Sequence, residues 1–71
     1  MREYKIYKTD LGYGIYRKRY IGKMIAVQYL NSHNLWAANK DTARIFYTEE
    51  SATSALVIQK AKDGKDGQDA D

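Results

Sequence analysis

The chain has 71 residues, with no cysteine, one histidine, seven tyrosines and a formal net charge of +3. Its length allows a single small domain, whose core supplies only roughly 3–5 kcal/mol of net stability. The absence of cysteine excludes disulfide bridges, and one histidine is too few for a structural zinc site, so we expect neither a metal nor another cofactor.

The first half of the chain predicts a meander of three antiparallel strands. Residues 4–8 and 13–21 alternate polar with apolar side chains and are rich in tyrosine and isoleucine, which favours two strands joined by a hairpin turn at 9–12. A second tight turn at Gly22 leads to a third strand over Met24–Leu30, which ends at a run of loop-forming polar residues.

The segment 35–47 is compatible with two conformations. It allows a short fourth strand or turn, which we favour, or a short helical turn that Asp41 caps and that carries Ala43 and Phe46 inward. Trp36 is expected at the rim of the core, where its indole N–H can donate to a carbonyl.

Residues 49–62 predict a C-terminal helix. Thr48 is a favourable N-cap, and acidic residues in the first turn and lysines in the last turn suit the helix dipole. The residues at helical spacing that form its apolar stripe are Ala52, Ala55, Leu56 and either Ile58 or Gln59. The predicted fold class is α+β, with a three- to four-stranded antiparallel sheet packed against one C-terminal helix.

Charge divides the chain into a basic domain and an acidic tail. Residues 1–61 form the predicted domain and hold ten basic and five acidic residues, a net charge of +5. Residues 62–71 hold two lysines and four aspartates and lack large apolar side chains, so we predict a disordered polar tail. The basic domain is expected to attract nucleic acid or an acidic protein surface, more weakly as the salt concentration rises.

The sequence favours neither a membrane protein nor an enzyme. Its N-terminus lacks the apolar stretch of a signal peptide, and its longest apolar runs of four residues are far shorter than the roughly twenty that span a bilayer, so we expect a cytoplasmic protein. Ser32 and His33 are adjacent in a loop, which does not give a nucleophile and its base their required geometry. Glycine-rich phosphate-loop motifs are also absent from the sequence, so we predict that the protein is not an enzyme.

The second predicted strand carries more rings and charge than a small core requires. Alternation gives each of its faces both tyrosines and basic residues, which are types favoured in interaction surfaces. Long basic side chains that cover tyrosine rings at a sheet edge would explain the same pattern without a function. The candidate residues for binding a partner or nucleic acid are Tyr13, Tyr16, Arg17, Lys18, Arg19, Tyr20 and Lys23. This tyrosine-rich surface is also compatible with the seam of a homodimer.

Four short segments are similar to a DNA-binding family, namely residues 14–19, 23–27, 35–36 and 46–52. They resemble the AP2-type DNA-binding domain and the related arm-binding domains of tyrosine integrases. Those domains pack a three-stranded sheet on a C-terminal helix and place the sheet in the major groove of DNA. The residues that would face DNA by this resemblance are Arg17, Lys18, Arg19 and Lys23.

A second resemblance covers most of the predicted domain. The chain has a tyrosine-rich hairpin, then a tryptophan, then Ala-x-x-Phe at 43–46 and Thr-x-Glu-x-Ala at 48–52. This order of motifs is similar to that of many short phage-encoded proteins. The resemblance implies docking on host machinery, including inhibition of defence systems by anti-CRISPR proteins. The leading prediction is therefore a phage-type protein of the host cytosol that docks on and blocks a protein or nucleoprotein partner. The alternative prediction is DNA binding through the sheet, as in the AP2 and integrase-arm domains.

Overall fold

In the computed structural model, which describes residues 2–65, one antiparallel sheet packs against a single α-helix. Within these residues the strands, in their order across the sheet, are β1 (Arg2–Thr9), β2 (Gly12–Ile21), β3 (Met24–Leu30) and β4 (Trp36–Ala37). A short 3-10 helix (Lys40–Thr42) and the α-helix α1 (Glu49–Lys65) follow. The predicted α+β class is confirmed.

The core lies between α1 and one face of the sheet. Ile15 of β2 and Leu30 of β3 are buried there, together with Ala52 of α1 and Phe46 from the segment before the helix. Apolar side chains packed around this centre are Ile6, Tyr13, Trp36, Ala55 and Leu56. One face of the sheet is therefore used for folding, as expected for an antiparallel sheet with a single covering layer.

The segment between β3 and α1 forms a short fourth strand, as predicted, and then a 3-10 helix. The cap of this turn is Asn39, whose side chain accepts a hydrogen bond from the Asp41 N–H at 2.8 Å, so the alternative of a cap at Asp41 is wrong. The chain then returns to the sheet. The N–H of Phe46 donates to the carbonyl of Tyr13 at 2.6 Å, and the N–H of Tyr13 donates to the carbonyl of Phe46 at 2.8 Å.

Gly12 makes this return possible. Its φ angle is +151°, in the region that favours glycine, and a Cβ at this position would collide with the carbonyl oxygen of Phe46. A side chain at Gly12 would therefore push the segment that carries Phe46 away from β2.

The helix begins where the sequence predicts. The Ser51 N–H donates to Thr48 Oγ1 at 3.1 Å, which identifies Thr48 as the N-cap. The predicted apolar stripe ends at Gln59 rather than Ile58, because Gln59 is buried whereas Ile58 is 58% exposed.

The helix ends later than predicted, at Lys65 rather than at residue 62. The assignment of the first residues of 62–71 to a disordered tail is therefore wrong, because they form the last turn of α1, in which Asp63 contacts the sheet. The remainder of the predicted tail, 66–71, lies outside the described residues. No helix within 2–65 is long and apolar enough to cross a membrane.

Candidate functional site

The pairing register sorts the strand side chains onto two faces of the sheet. The face beneath α1, here called the helix face, carries Arg2, Tyr4, Ile6, Tyr13, Ile15, Arg17, Arg19, Gln28, Leu30 and Trp36. The opposite face, here called the open face, carries Glu3, Lys5, Tyr7, Tyr16, Lys18, Tyr20, Ile25, Val27 and Tyr29. In the described part of the chain no α-helix covers the open face.

Three tyrosine rings meet at the centre of the open face. The centroids of Tyr7, Tyr16 and Tyr29 lie 5.8–6.1 Å apart, with the rings tilted or edge to face. Tyr16 and Tyr29 are cross-strand partners, whereas Tyr7 lies opposite Gly14. A Cβ at Gly14 would collide with the Tyr7 ring, so the glycine is what allows this ring to lie across β2.

Burial raises the pKa of the Tyr7 hydroxyl, and the neighbouring Tyr29 raises it further. The rings of this tyrosine cluster are nevertheless only partly buried. The cluster is thus held in place by contacts among its own rings and still exposes aromatic surface.

Three lysines lie close to the tyrosine cluster. Lys40, from the 3-10 helix, places its Nζ 5.2 Å from the centre of the Tyr7 ring. Lys18 lies two residues from Tyr16 on the same face of β2, and Lys5 is the cross-strand partner of Tyr16.

Glu3 is the one acidic residue on the strands of this face, among residues 2–65. Its carboxylate lies 3.9 Å from Lys5 Nζ and accepts a hydrogen bond from the Tyr20 hydroxyl at 2.9 Å. That hydrogen bond is the main reason why the pKa of Tyr20 is raised. The strands of this face thus carry two lysines and one glutamate, and Lys40 brings a further positive charge to the Tyr7 ring.

The helix face has a different polar centre, the buried Arg17. Its Nη1 donates to Asp63 Oδ2 of α1 at 2.8 Å, and its Nε donates to Gln28 Oε1 at 2.8 Å. The guanidinium also lies over the Trp36 ring, 4.4 Å from its centre. Tyr4 donates its hydroxyl to the same Asp63 oxygen at 2.5 Å, and its pKa is raised by burial and then by that bond. This network joins the end of α1 to the sheet.

Trp36 packs at the rim of the core as predicted, but the prediction that its indole N–H donates to a carbonyl is wrong. Within the described residues its buried indole N–H has no partner. The ring is held through its surface instead, by Arg17 and by the edge of Tyr4 at 5.9 Å between centroids.

The structure divides the seven predicted site residues between the two faces. Those on the open face are Tyr16, Lys18 and Tyr20, and those on the helix face are Tyr13, Arg17 and Arg19, while Lys23 is exposed in the turn between β2 and β3. Arg17 in particular is only 7% exposed. Sequence reasoning missed Tyr7, Tyr29 and Lys40. The hairpin register would have found the two tyrosines, because it places them opposite Gly14 and Tyr16.

Among residues 2–65 no three His, Cys, Asp or Glu side chains lie together in a way that suits a metal ion. The sequence matches no protein-family model, and comparisons with curated proteins and with solved structures found no match. The function is therefore inferred from the two faces of the sheet.

Proposed function

We propose that this chain is a non-enzymatic binding module that holds a nucleic acid against the open face of its sheet. The observation that supports this function best is the cluster of Tyr7, Tyr16 and Tyr29, which lies close to three lysines on a face that no described α-helix covers. Tyrosine provides a large contact area with little loss of entropy, and it stacks on bases.

Charge supports a polyanionic partner. On the open-face strands of residues 2–65, Lys5 and Lys18 lie with one carboxylate, that of Glu3, while Lys40 adds a cation from the 3-10 helix, and the domain as a whole is basic. Lysines that neutralise phosphates release counterions, which gives affinity without requiring a particular sequence.

The test is fluorescence anisotropy of labelled oligonucleotides, single-stranded and duplex, over a series of salt concentrations. Lys18→Gln and Lys40→Gln are each expected to weaken binding and to reduce the slope of log affinity against log salt by about 1. Lys62→Gln, on α1, is the matched control and should leave the slope almost unchanged. Absence of salt-dependent binding to either oligonucleotide, or equal losses in all three variants, would contradict the proposal.

A second candidate is docking on a protein partner and blocking it. The observation that favours it is the tip of the β2–β3 hairpin, where Ile21, Met24 and Ile25 are 53%, 73% and 59% exposed. Exposed apolar side chains grouped at one place are typical of interaction sites, and the basic domain would suit an acidic protein surface.

Affinity capture from nuclease-treated lysate separates the two candidates. A protein that wild type retains after nuclease treatment and that Met24→Lys and Ile25→Lys both lose would support docking through the hairpin tip. Retention of the same protein by all forms, or of none, would count against it.

A further inference from the structure

We infer that the nucleic acid is single-stranded and that its bases stack on Tyr7, Tyr16 and Tyr29. This inference rests on the proposed function, because it names the kind of nucleic acid that the open face takes. The centre of that face consists of aromatic rings, with Lys40 Nζ over the Tyr7 ring and Lys5 and Lys18 on the neighbouring positions of β1 and β2.

The helix face holds most of the groups that would be needed to read a duplex. Base edges in the major groove are read chiefly by arginine, lysine, asparagine and glutamine. Arg17 and Gln28 bond to each other beneath α1, and Arg19 lies on the same face as Arg17. Over residues 2–65, the strands place no arginine, asparagine or glutamine on the open face, so lysine is the one residue type of this group that they present there.

The tyrosine cluster has the properties of a stacking surface. Each ring is packed against the other two, and Tyr7 rests over Gly14, so the rings are ordered before a ligand arrives. Preordered contact groups lose little conformational entropy on binding. Because every base has an aromatic face, such a surface binds single strands with little regard to sequence.

The lysines are placed where a strand stacked on these rings would carry its phosphates. Lys40 Nζ lies over the Tyr7 ring, and Lys18 follows Tyr16 along β2. A backbone that passes from Lys40 to Lys18 would cross the tyrosine cluster. The combination of a basic track and aromatic rings is typical of proteins that bind single strands.

The experiment compares three ligands of equal length on the wild-type protein by fluorescence anisotropy. They are an oligothymidine of about ten nucleotides, within the usual range of site sizes, an abasic oligonucleotide with the same sugar-phosphate backbone, and a duplex. We expect the oligothymidine to bind at least about fivefold more tightly than the other two, since each stacked base contributes that much or more. This comparison does not depend on the folding of any variant.

Tyrosine variants then show which rings the bases stack on. Tyr16→Leu and Tyr29→Leu should each weaken oligothymidine binding by about fivefold or more, while Tyr16→Phe, which keeps the ring, should bind nearly as wild type. Tyr47→Leu is the control, because Tyr47 is 92% exposed but lies outside the sheet. Circular dichroism checks that each variant is folded.

The outcomes distinguish this inference from the proposed function. Equal, salt-dependent binding of all three ligands would overturn stacking and leave nucleic-acid binding intact. Equal losses in Tyr16→Phe and Tyr16→Leu would also overturn it, because the hydroxyl rather than the ring would then carry the contact. Failure of all three ligands to bind would overturn both.

Discussion

A buried arginine holds the C-terminal end of α1 against the sheet. Arg17 donates to Asp63 and Gln28 and covers the ring of Trp36, so its charge is fully engaged inside the fold. A buried charge that loses its partner is strongly unfavourable, because it cannot regain water. At the scale of single residues, Arg17 therefore stabilises the fold. The tyrosines and basic residues next to it in β2 had led to the prediction that it binds a partner.

We predict that Asp63→Asn lowers the free energy of unfolding by about 2 kcal/mol, a large part of the stability of so small a domain. Urea denaturation followed by circular dichroism measures it. In an Arg17→Met background the same substitution should have less than half that effect. Equal effects in both backgrounds would show that the two residues are not coupled.

At the scale of elements, local patterns predicted the strands and the start of the helix. Contacts between residues far apart in sequence determine which face of β2 is covered and where α1 ends. Alternation identified β2 but not its covered face, because both faces carry tyrosines and basic residues. The last turn of α1 was missed because Asp63 contacts Arg17 and Tyr4, which lie 46 and 59 residues earlier, and also pairs with Arg2. No local signal in the polar segment 62–71 reports those contacts.

Two glycines provide a matched test of how the segment before α1 docks on β2. Both Gly12 and Gly22 have positive φ angles, but only at Gly12 would a Cβ meet backbone atoms, whereas Gly22 has open space around it. We expect Gly12→Ala to lower the free energy of unfolding by about 2 kcal/mol or more, and Gly22→Ala by about 1 kcal/mol. Thermal and urea unfolding compare them, and a smaller loss for Gly12→Ala would contradict the docking described here.

At the scale of the whole molecule, the two faces of the sheet carry different sets of residues. The helix face holds the core and the Arg17 network, and the open face presents the tyrosine cluster and its lysines. The sequence predicted three of the open-face residues, Tyr16, Lys18 and Tyr20. The other tyrosines of the cluster come from β1 and β3, so their proximity depends on the strand register.

Ionisation of tyrosines should limit stability in alkali. The pKa values of Tyr4 and Tyr7 are raised above the ordinary value of 10.0 mainly by burial, and that of Tyr20 by its bond to Glu3. The folded protein therefore holds these protons more tightly than the unfolded chain does. These three tyrosines should not change the free energy of unfolding below about pH 10. The free energy of unfolding should then fall as the pH rises through their raised pKa values.

The midpoint of urea unfolding, measured from neutral pH to about pH 11, tests this expectation. Tyr7→Phe removes one of the three groups and should make the alkaline decline shallower. A midpoint that stays constant across the whole range would contradict it.

The most direct test of the account is the mapping of backbone and side-chain chemical shifts by NMR during titration with a short oligothymidine. We predict that the largest shift changes occur at Tyr7, Tyr16, Lys18 and Tyr29 on the open face, with little change along the exposed side of α1. Changes confined to α1 or to the tip of the β2–β3 hairpin, or no changes at all, would contradict the assignment of the open face as the binding surface.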